Sequence, residues 1–317
     1  MKKMLSAAGV AIFSMMFAAG AVAAEWAPPG PIKLLIAFRA GGGADTQARL
    51  IAEELEARTG WKFIPEQVTG KGGVNMLKTL SGLPNDGTAI GMAVTESVGY
   101  NLVAAKAGLT VDDFTGLTTT AGFQLGIVAQ TKLGYKNMNE AIAAAKNGKQ
   151  LRFGVMSPRL ADLAYLLEQA NGVQFNVVSY KGGKAVLDAI NAGDVDMGFV
   201  AGVQAKGVKA GDLVELASAL SVPLKMTPSA PTLADLGVDF NADGHFVFVA
   251  PKGLPAQAKQ ALGEAIAAVA NDPKAKVAGI INRAFGGPET IKGAELDKRL
   301  ADGYANANKL MKAVAAQ

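Results

Sequence analysis

The segment from Phe38 to Arg49 reads Phe-Arg-Ala-Gly-Gly-Gly-Ala-Asp-Thr-Gln-Ala-Arg. It follows a mostly apolar run, residues 32–38, which predicts a buried strand. The apolar residues after the glycines are spaced four, three and four apart, which predicts one buried face of a helix. These residues are Ala44, Ala48, Ile51 and Leu55. The predicted order is therefore strand, glycine turn, helix.

The glycine turn has three interpretations at this point. The first turn of a helix leaves backbone N–H groups unpaired at its positive end, and such an end binds a carboxylate or a phosphate. Glycine allows positive φ and close approach of a ligand. The same pattern also occurs as a plain tight connection. A dinucleotide fingerprint is the third interpretation, although Thr46 stands where that motif has a small residue after Gly41 and Gly43.

The strand, polar turn and helix pattern recurs along the chain. Similar turns lie at residues 68–73, at Ser157-Pro158-Arg159 and at Lys181-Gly182-Gly183-Lys184. Alternating strands and helices predict an α/β fold with mostly parallel sheets flanked by helices. Turns at the carboxyl ends of strands in two lobes can face one crevice. The chain is predicted to cross between the lobes near residues 117–130 and again near residues 226–232. Two further helices are predicted to begin at Pro273 and near Pro288.

The N-terminus has the pattern of a secretory signal peptide. Lys2 and Lys3 precede an uncharged run from Met4 to Gly20, and small residues follow. We expect cleavage after Ala23 or Ala24. The alternative, a membrane anchor, is disfavoured because the apolar run is short of the roughly 20 residues that span a bilayer.

Composition excludes several functions. The chain has no cysteine and one histidine, His245. The residues needed for a zinc site or a Cys-His pair are therefore missing or too few, and a Ser-His-Asp triad could be built only around His245. Catalysis by carboxylates or by a lysine stays possible.

Without Lys2 and Lys3 the formal net charge falls from +4 to +2, and the basic residues are scattered, so no nucleic-acid partner is expected. We expect no metal, no cofactor and no catalytic residue.

Several blocks together resemble the solute-binding proteins of tripartite tricarboxylate transporters, the Bug or TctC-like family of periplasmic receptors. The blocks are residues 38–49, residues 67–73 with Asp86-Gly87, Tyr180-Lys181-Gly182-Gly183, Gly193-Asp194-Val195-Asp196, residues 230–237 and residues 249–255. They occur in the family's order across nearly the whole mature chain.

The resemblance implies a monomeric two-lobed receptor in the periplasm. It closes on a small organic carboxylate and delivers it to a membrane transporter with a small and a large subunit. The predicted domains are a signal peptide (residues 1–24), lobe 1 (residues 25–122 plus 226–317) and lobe 2 (residues 123–225). The predicted ligand-binding residues are Phe38, Arg39, Gly41, Gly42, Gly43, Asp45, Thr46, Thr95, Ser157, Arg159, Tyr180, Lys181, Gly182, Gly183 and His245.

The sequence departs from the family pattern at Arg39, at residues 156–159 and at His245, which leaves the ligand's identity open. Arg39, Arg159, Lys181 and His245 are candidates for holding a second carboxylate. The preferred ligand is therefore a dicarboxylate, aliphatic or aromatic, with a monocarboxylate as the next choice. The alternative from another class is an exported oxidoreductase that binds a nucleotide cofactor at Gly41–Gly43, with Glu66, 23 residues after Gly43, in its favour.

Overall fold

The computed structural model describes residues 26–315, and the predicted signal peptide lies outside that range. Lobe 1 begins with β1 (Ile32–Ile36), α1 (Gly43–Thr59), β2 (Phe63–Gln67), α2 (Val74–Ser81), β3 (Ala89–Val94), α3 (Thr95–Val98), α4 (Tyr100–Ala104) and β4 (Phe114–Gly122). Lobe 2 contains β5 (Leu125–Gln130), α5 (Met138–Lys146), β6 (Leu151–Val155), α6 (Pro158–Asn171), β7 (Phe175–Ser179), α7 (Gly183–Ala192), β8 (Met197–Ala201), α8 (Ala205–Ala210) and β9 (Leu213–Ser218). The chain then returns to lobe 1 with β10 (His245–Pro251), α9 (Ala256–Asn271), α10 (Ala278–Phe285) and α11 (Gly293–Ala315).

The two lobes are built on sheets with the same topology. The strand order is β2-β1-β3-β10-β4 in lobe 1 and β7-β6-β8-β5-β9 in lobe 2. In each sheet four strands share one direction, and one strand next to the edge, β10 or β5, runs against them. That reversed strand is the first one formed after the chain crosses from the other lobe. The predicted two-lobed α/β fold is confirmed, with mixed sheets.

The sheets show where the chain crosses. The strands of lobe 1 lie within residues 32–122 and 245–251, and those of lobe 2 lie within residues 125–218. The limits at residues 122 and 226 stay a prediction. Among the helices of the described range, none is long and apolar enough to cross a bilayer.

Burial follows the position of each strand in its sheet. All six residues of β3 are buried, as expected for a strand covered by helices on both faces. The edge strands β2 and β7 bury their first residue and leave most of the rest exposed or partly exposed. The mostly buried strands β1 and β6 end just before the turns that open α1 and α6, so these two turns are carried on rigid supports.

Two predicted helix starts are wrong. Pro273 lies in a turn in which the Asp272 carboxylate accepts the N–H of Lys274 at 2.8 Å, and α10 begins only at Ala278. Residues 289–291 pair with β4 instead of forming a helix, because Thr119 exchanges two hydrogen bonds with Ile291. The last helix therefore begins at Gly293.

A glycine sets how closely α9 approaches its sheet. A Cβ on Gly263 would stand 2.8 Å from the carbonyl oxygen of Leu117 in β4. We expect Gly263→Ala to lower the free energy of unfolding by about 1–3 kcal/mol despite the better helix propensity of alanine.

Gly303 in α11 is the matched control, because it is exposed and has no atom within 4 Å of an added Cβ. There the same substitution should stabilise by about 0.5–1 kcal/mol. Urea unfolding of both variants measures the difference. Equal stability of the two variants would show that α9 does not need the glycine.

Candidate functional site

A cavity of about 100 Å³ lies between the two lobes. Glycine turns from both lobes line it, together with apolar side chains. A neighbouring cavity of about 270 Å³ opens beside it on the side of Tyr180. We call the two together the cleft. The residues that line both are Phe38, Arg39, Gly72, Met156, Ser157, Lys181 and Gly182.

The first wall of the cleft is the beginning of α1. Gly42 precedes this helix, and no side chain caps it. The carboxylate of Asp45 instead accepts the N–H of Gly41 at 2.9 Å and pairs with Arg49 at 2.8 Å, which closes the turn. The first amides of α1 therefore stay without a side-chain acceptor at the positive end of a 17-residue helix.

The opposite wall is the beginning of α7 in lobe 2. Gly182 precedes it with φ 103°, a conformation that favours glycine, and again no side chain caps the helix. A third helix, α6, also begins here, and the Ser157 hydroxyl accepts the N–H of Leu160 at 3.4 Å. Two uncapped helix N-termini, one from each lobe, thus border the same cavity, which makes it favourable for an anion.

Aromatic side chains line the main cavity together with these helix ends. Phe246 packs edge-on against Phe285 at 4.7 Å between ring centres and against Phe123 at 5.4 Å. A Cβ on Gly43 would stand 2.6 Å from Phe285, so only glycine allows α1 to begin this close to the rings. The cavity therefore has apolar walls and polar ends, the usual composition of a small-ligand site.

Lysine and arginine side chains border the cleft. Arg39, Lys71 and Lys181 are exposed, and none of them has a carboxylate within 4 Å among residues 26–315. Lys184 differs, because it pairs with Asp188 at 2.9 Å. Three positive charges that lack an ion-pair partner in the described part of the chain thus border the cleft.

A third cavity of about 470 Å³ is lined by residues of α3, α4 and α11 and by residues 239–245. Arg159 lines it and donates to the carbonyl oxygens of Asn241 (2.6 Å) and Asp243 (3.3 Å). His245 also lines it, and its ring nitrogen lies 3.0 Å from Glu289. Burial keeps the pKa of His245 below its ordinary value, although Glu289 opposes the shift. His245 is therefore mostly neutral at pH 7.

Comparison with known proteins places the chain in a family. A model of the tripartite tricarboxylate transporter family receptor matches residues 47–311. The chain belongs to this family. A relative from Cupriavidus necator, a UPF0065 protein encoded in the gbd 5' region, is 29% identical over 243 residues, which cover 75% of this chain and 74% of that protein.

Two solved structures have the same fold as this family member. The first is the R. palustris protein Rpa4515 with adipate, with TM-score 0.78 and 23% identity over 91% of this chain and 98% of that one. The second is MatC from Rhodopseudomonas palustris with bound malate, with TM-score 0.75 and 19% identity over 89% of this chain and 99% of that one.

The structure of this receptor brings together most of the predicted ligand-binding residues. Eight of them line the main cavity, and Tyr180 lines the adjoining one. Thr95, Arg159 and His245 line the third cavity instead, and the Thr95 hydroxyl accepts the N–H of His245 at 3.1 Å. Gly41, Asp45 and Thr46 line none of the three cavities and build the turn itself. The eight residues are Phe38, Arg39, Gly42, Gly43, Ser157, Lys181, Gly182 and Gly183.

Sequence reasoning missed other residues that line the cleft. Phe123 and Phe246 line the main cavity, Lys71 lines the adjoining one and Gly72 lines both, although none of them is among the predicted ligand-binding residues. Glu96 also lines the main cavity, directly after Thr95 at the carboxyl end of β3. The position of Glu96 at the end of a predicted strand is the feature of the sequence that could have indicated it as a cavity residue. In residues 26–315 no cluster of three or more His, Asp or Glu side chains is arranged to hold a metal ion.

A hydrogen bond joins the lobes beside this site. The hydroxyl of Tyr100 in α4 donates to the carboxylate of Asp162 in α6. Burial raises the pKa of Asp162 above its ordinary value. The ionised carboxylate is therefore less favourable in the folded receptor than in the unfolded chain.

Asp162→Asn should stabilise the receptor at neutral pH, because the amide oxygen still accepts from Tyr100 and no charge is buried. Because the pKa of Asp162 is higher in the folded protein than in the unfolded chain, the protonated acid favours folding. This contribution to stability is present below pH 3.8, the ordinary pKa of aspartate, and is lost as pH rises through the pKa in the folded protein. The difference between variant and wild type should thus be near zero in acid and grow above about pH 4.

Asp86 provides a control of opposite sign. Hydrogen bonds from the hydroxyl and the N–H of Thr88 lower the pKa of Asp86. Its contribution to stability is therefore present above pH 3.8 and lost as pH falls, so Asp86→Asn should destabilise the protein at neutral pH only. Urea unfolding from pH 3 to pH 7 measures both. A stability difference for Asp162→Asn that does not change with pH would contradict the assignment.

Proposed function

We propose that this protein is a periplasmic solute-binding receptor that captures a small organic acid, preferably a dicarboxylate, by closing its lobes. It then delivers the acid to the small and large subunits of a tripartite tricarboxylate-type membrane transporter. The observation that carries the proposal is the pair of uncapped helix N-termini, α1 and α7, that border one cavity from opposite lobes.

A carboxylate fits this arrangement physically. Its oxygens accept several N–H bonds at once, and charge strengthens each bond. Closing the lobes removes water, so each charge interaction gains from the lower local dielectric. Micromolar affinity requires about 8 kcal/mol, which a few such bonds and apolar contact with Phe123 and Phe246 can supply.

The charges of the cleft favour a second carboxylate on the same ligand. Arg39 and Lys181 line both parts of the cleft and have no acidic partner within 4 Å in the described range. Arg159 donates to backbone carbonyls, and His245 is mostly neutral, so these two are weaker candidates. The structural relatives solved with adipate and with malate hold dicarboxylates, which agrees with this ligand class.

Lys71 combines a strained backbone conformation with a positive charge at the cleft. Its φ is 50°, a left-handed conformation that costs a side-chain-bearing residue about 1 kcal/mol. We expect Lys71→Gly to leave stability equal or up to about 1 kcal/mol higher, and to weaken binding of a dicarboxylate several-fold through loss of the charge.

Lys106 is the matched control for that experiment. Its φ is 46°, and it lines none of the three cavities. Lys106→Gly should change stability in the same way and leave binding unchanged. Thermal unfolding and titration calorimetry measure the two effects. Wild-type affinity in Lys71→Gly would remove this lysine from the site.

The ligand class is tested by thermal shift and calorimetry on the mature protein. The panel contains mono- and dicarboxylates of four to eight carbons, and NAD represents the cofactor alternative. We expect stabilisation by dicarboxylates, weaker stabilisation by the matching monocarboxylates and none by NAD. Stabilisation by NAD with none by any acid would overturn the receptor proposal and favour the oxidoreductase.

A further inference from the structure

The last turn of α10 is packed between the two lobes. α10 belongs to lobe 1 and ends at Phe285, whose side chain is fully buried. Gly202 lies between β8 and α8 in lobe 2, with φ 82°. A Cβ on Gly202 would overlap the ring of Phe285 at Cε1 and stand 2.8 Å from the carbonyl oxygen of Ala284. The lobes are therefore in close contact at this point, and glycine is what leaves room for the contact.

The ring of Phe285 is held from more than one side. Gly202 faces the Cε1–Cδ1 edge of the ring, and Gly43, the first residue of α1, faces the Cζ–Cε2 edge. A Cβ on Gly43 would stand 2.6 Å from Cζ, and Phe246 packs against the ring at 4.7 Å between ring centres. The ring thus fills the space between lobe 2 and the beginning of α1, and close packing prevents it from moving aside.

A second contact ties the same turn to lobe 2. The ammonium group of Lys225 donates to the carbonyl oxygen of Gly286 at 2.9 Å, and the backbone N–H of Lys225 donates to Gln124 Oε1 at 3.0 Å. The N–H of Gly202 donates to the carbonyl oxygen of Gln124 at 3.0 Å. Gln124 lies on the segment that joins β4 to β5, so both contacts are anchored to a crossing between the lobes.

The contact between Gly202 and Phe285 lies on the cleft side of that crossing. Ala201 and Val203, the residues before and after Gly202, line the main cavity. Gly202 and Phe285 themselves line none of the three cavities, so they do not contact a ligand bound there. An effect of these two residues on binding must therefore act through the positions of the lobes.

We propose that Gly202 and Phe285 are positioning residues for ligand binding. Their contact sets the distance between the lobes at the base of the cleft, and through Gly43 it places the first amides of α1 opposite those of α7. Because a hydrogen bond weakens steeply when its length or angle changes, a ligand held from both lobes is sensitive to this distance. The inference rests on the proposed receptor function, since it concerns the ligand that the two helix ends hold.

A wedge at this contact tests the proposal. Gly202→Ala adds a methyl group that meets a held ring and a backbone carbonyl, so the lobes must move apart. Because the contact lies on the cleft side of the crossing, this movement should open the cleft. The probes are succinate, glutarate, adipate, pimelate and suberate. We expect the affinity for each acid that binds wild type to fall at least about tenfold, because the donors of the two lobes no longer align.

Gly211→Ala is the matched control. Gly211 follows α8 in the same lobe and has the same φ of 82°, but an added Cβ there would have no atom within 4 Å. Both variants therefore carry the same backbone strain, and only Gly202→Ala adds a contact between the lobes. Gly211→Ala should keep the wild-type affinity and the wild-type distance between the lobes.

The distance between the lobes is measured without a ligand. The chain has no cysteine, so spin labels can be attached at two substitutions, Lys78→Cys in α2 and Asn191→Cys in α7. Both positions are exposed, and one lies in each lobe. Double electron-electron resonance should give a longer distance for Gly202→Ala than for wild type or Gly211→Ala. A second variant, Phe285→Leu, removes outer ring atoms without adding a clash and should give a shorter distance.

The outcomes separate this inference from the receptor proposal. A longer label distance and a lower affinity in Gly202→Ala, with neither change in Gly211→Ala, support the positioning role. Wild-type distances in Gly202→Ala and Phe285→Leu, equal changes in the two alanine variants, or wild-type affinity in Gly202→Ala overturn it and leave the receptor function standing. If no acid binds wild type, the receptor proposal fails, and the label distances still decide whether this contact sets the separation of the lobes.

Discussion

The whole site depends on one constraint, that the first amides of α1 and α7 stay free of side-chain caps. Gly42 and Gly182 meet it, because neither offers a side-chain acceptor, and Gly182 also takes a backbone conformation unsuited to other residues. Asp45 supports the first turn from behind by binding Gly41 and Arg49. The donors are therefore oriented before a ligand arrives, which lowers the entropic cost of binding.

The two sheets explain how helix ends from different lobes reach one cavity. Both have the same strand order, and in both the strand next to the edge is reversed where the chain has just crossed. β1 ends before the glycine turn of α1 and β7 ends before that of α7, so both turns lie at the carboxyl ends of parallel strands. The hydrogen bond from Tyr100 to Asp162 joins the lobes beside the cleft, and the carbonyls that bind Arg159 join them on the far side.

Charge is distributed unevenly around the cleft, and this gives a ligand a direction. Arg39, Lys71 and Lys181 border the cleft without acidic partners in the described range, whereas the carboxylate of Glu96 lines the main cavity. The rings of Phe123 and Phe246 line the same cavity.

The sequence by itself determined the α/β fold, most strands and helices, the glycine turns and eight residues that line the main cavity. These are local properties, since strand and helix periods and the conformational needs of glycine are properties of short segments. Only the tertiary structure decided that Arg159 and His245 lie in a different cavity. Arg159 is held there by the carbonyls of Asn241 and Asp243, and His245 by the carboxylate of Glu289. These partners come from distant parts of the chain, so local sequence does not reveal them. The same holds for Glu96, which is buried beside Asn101 and Gly72 by the packing of α3, α4 and the second glycine turn.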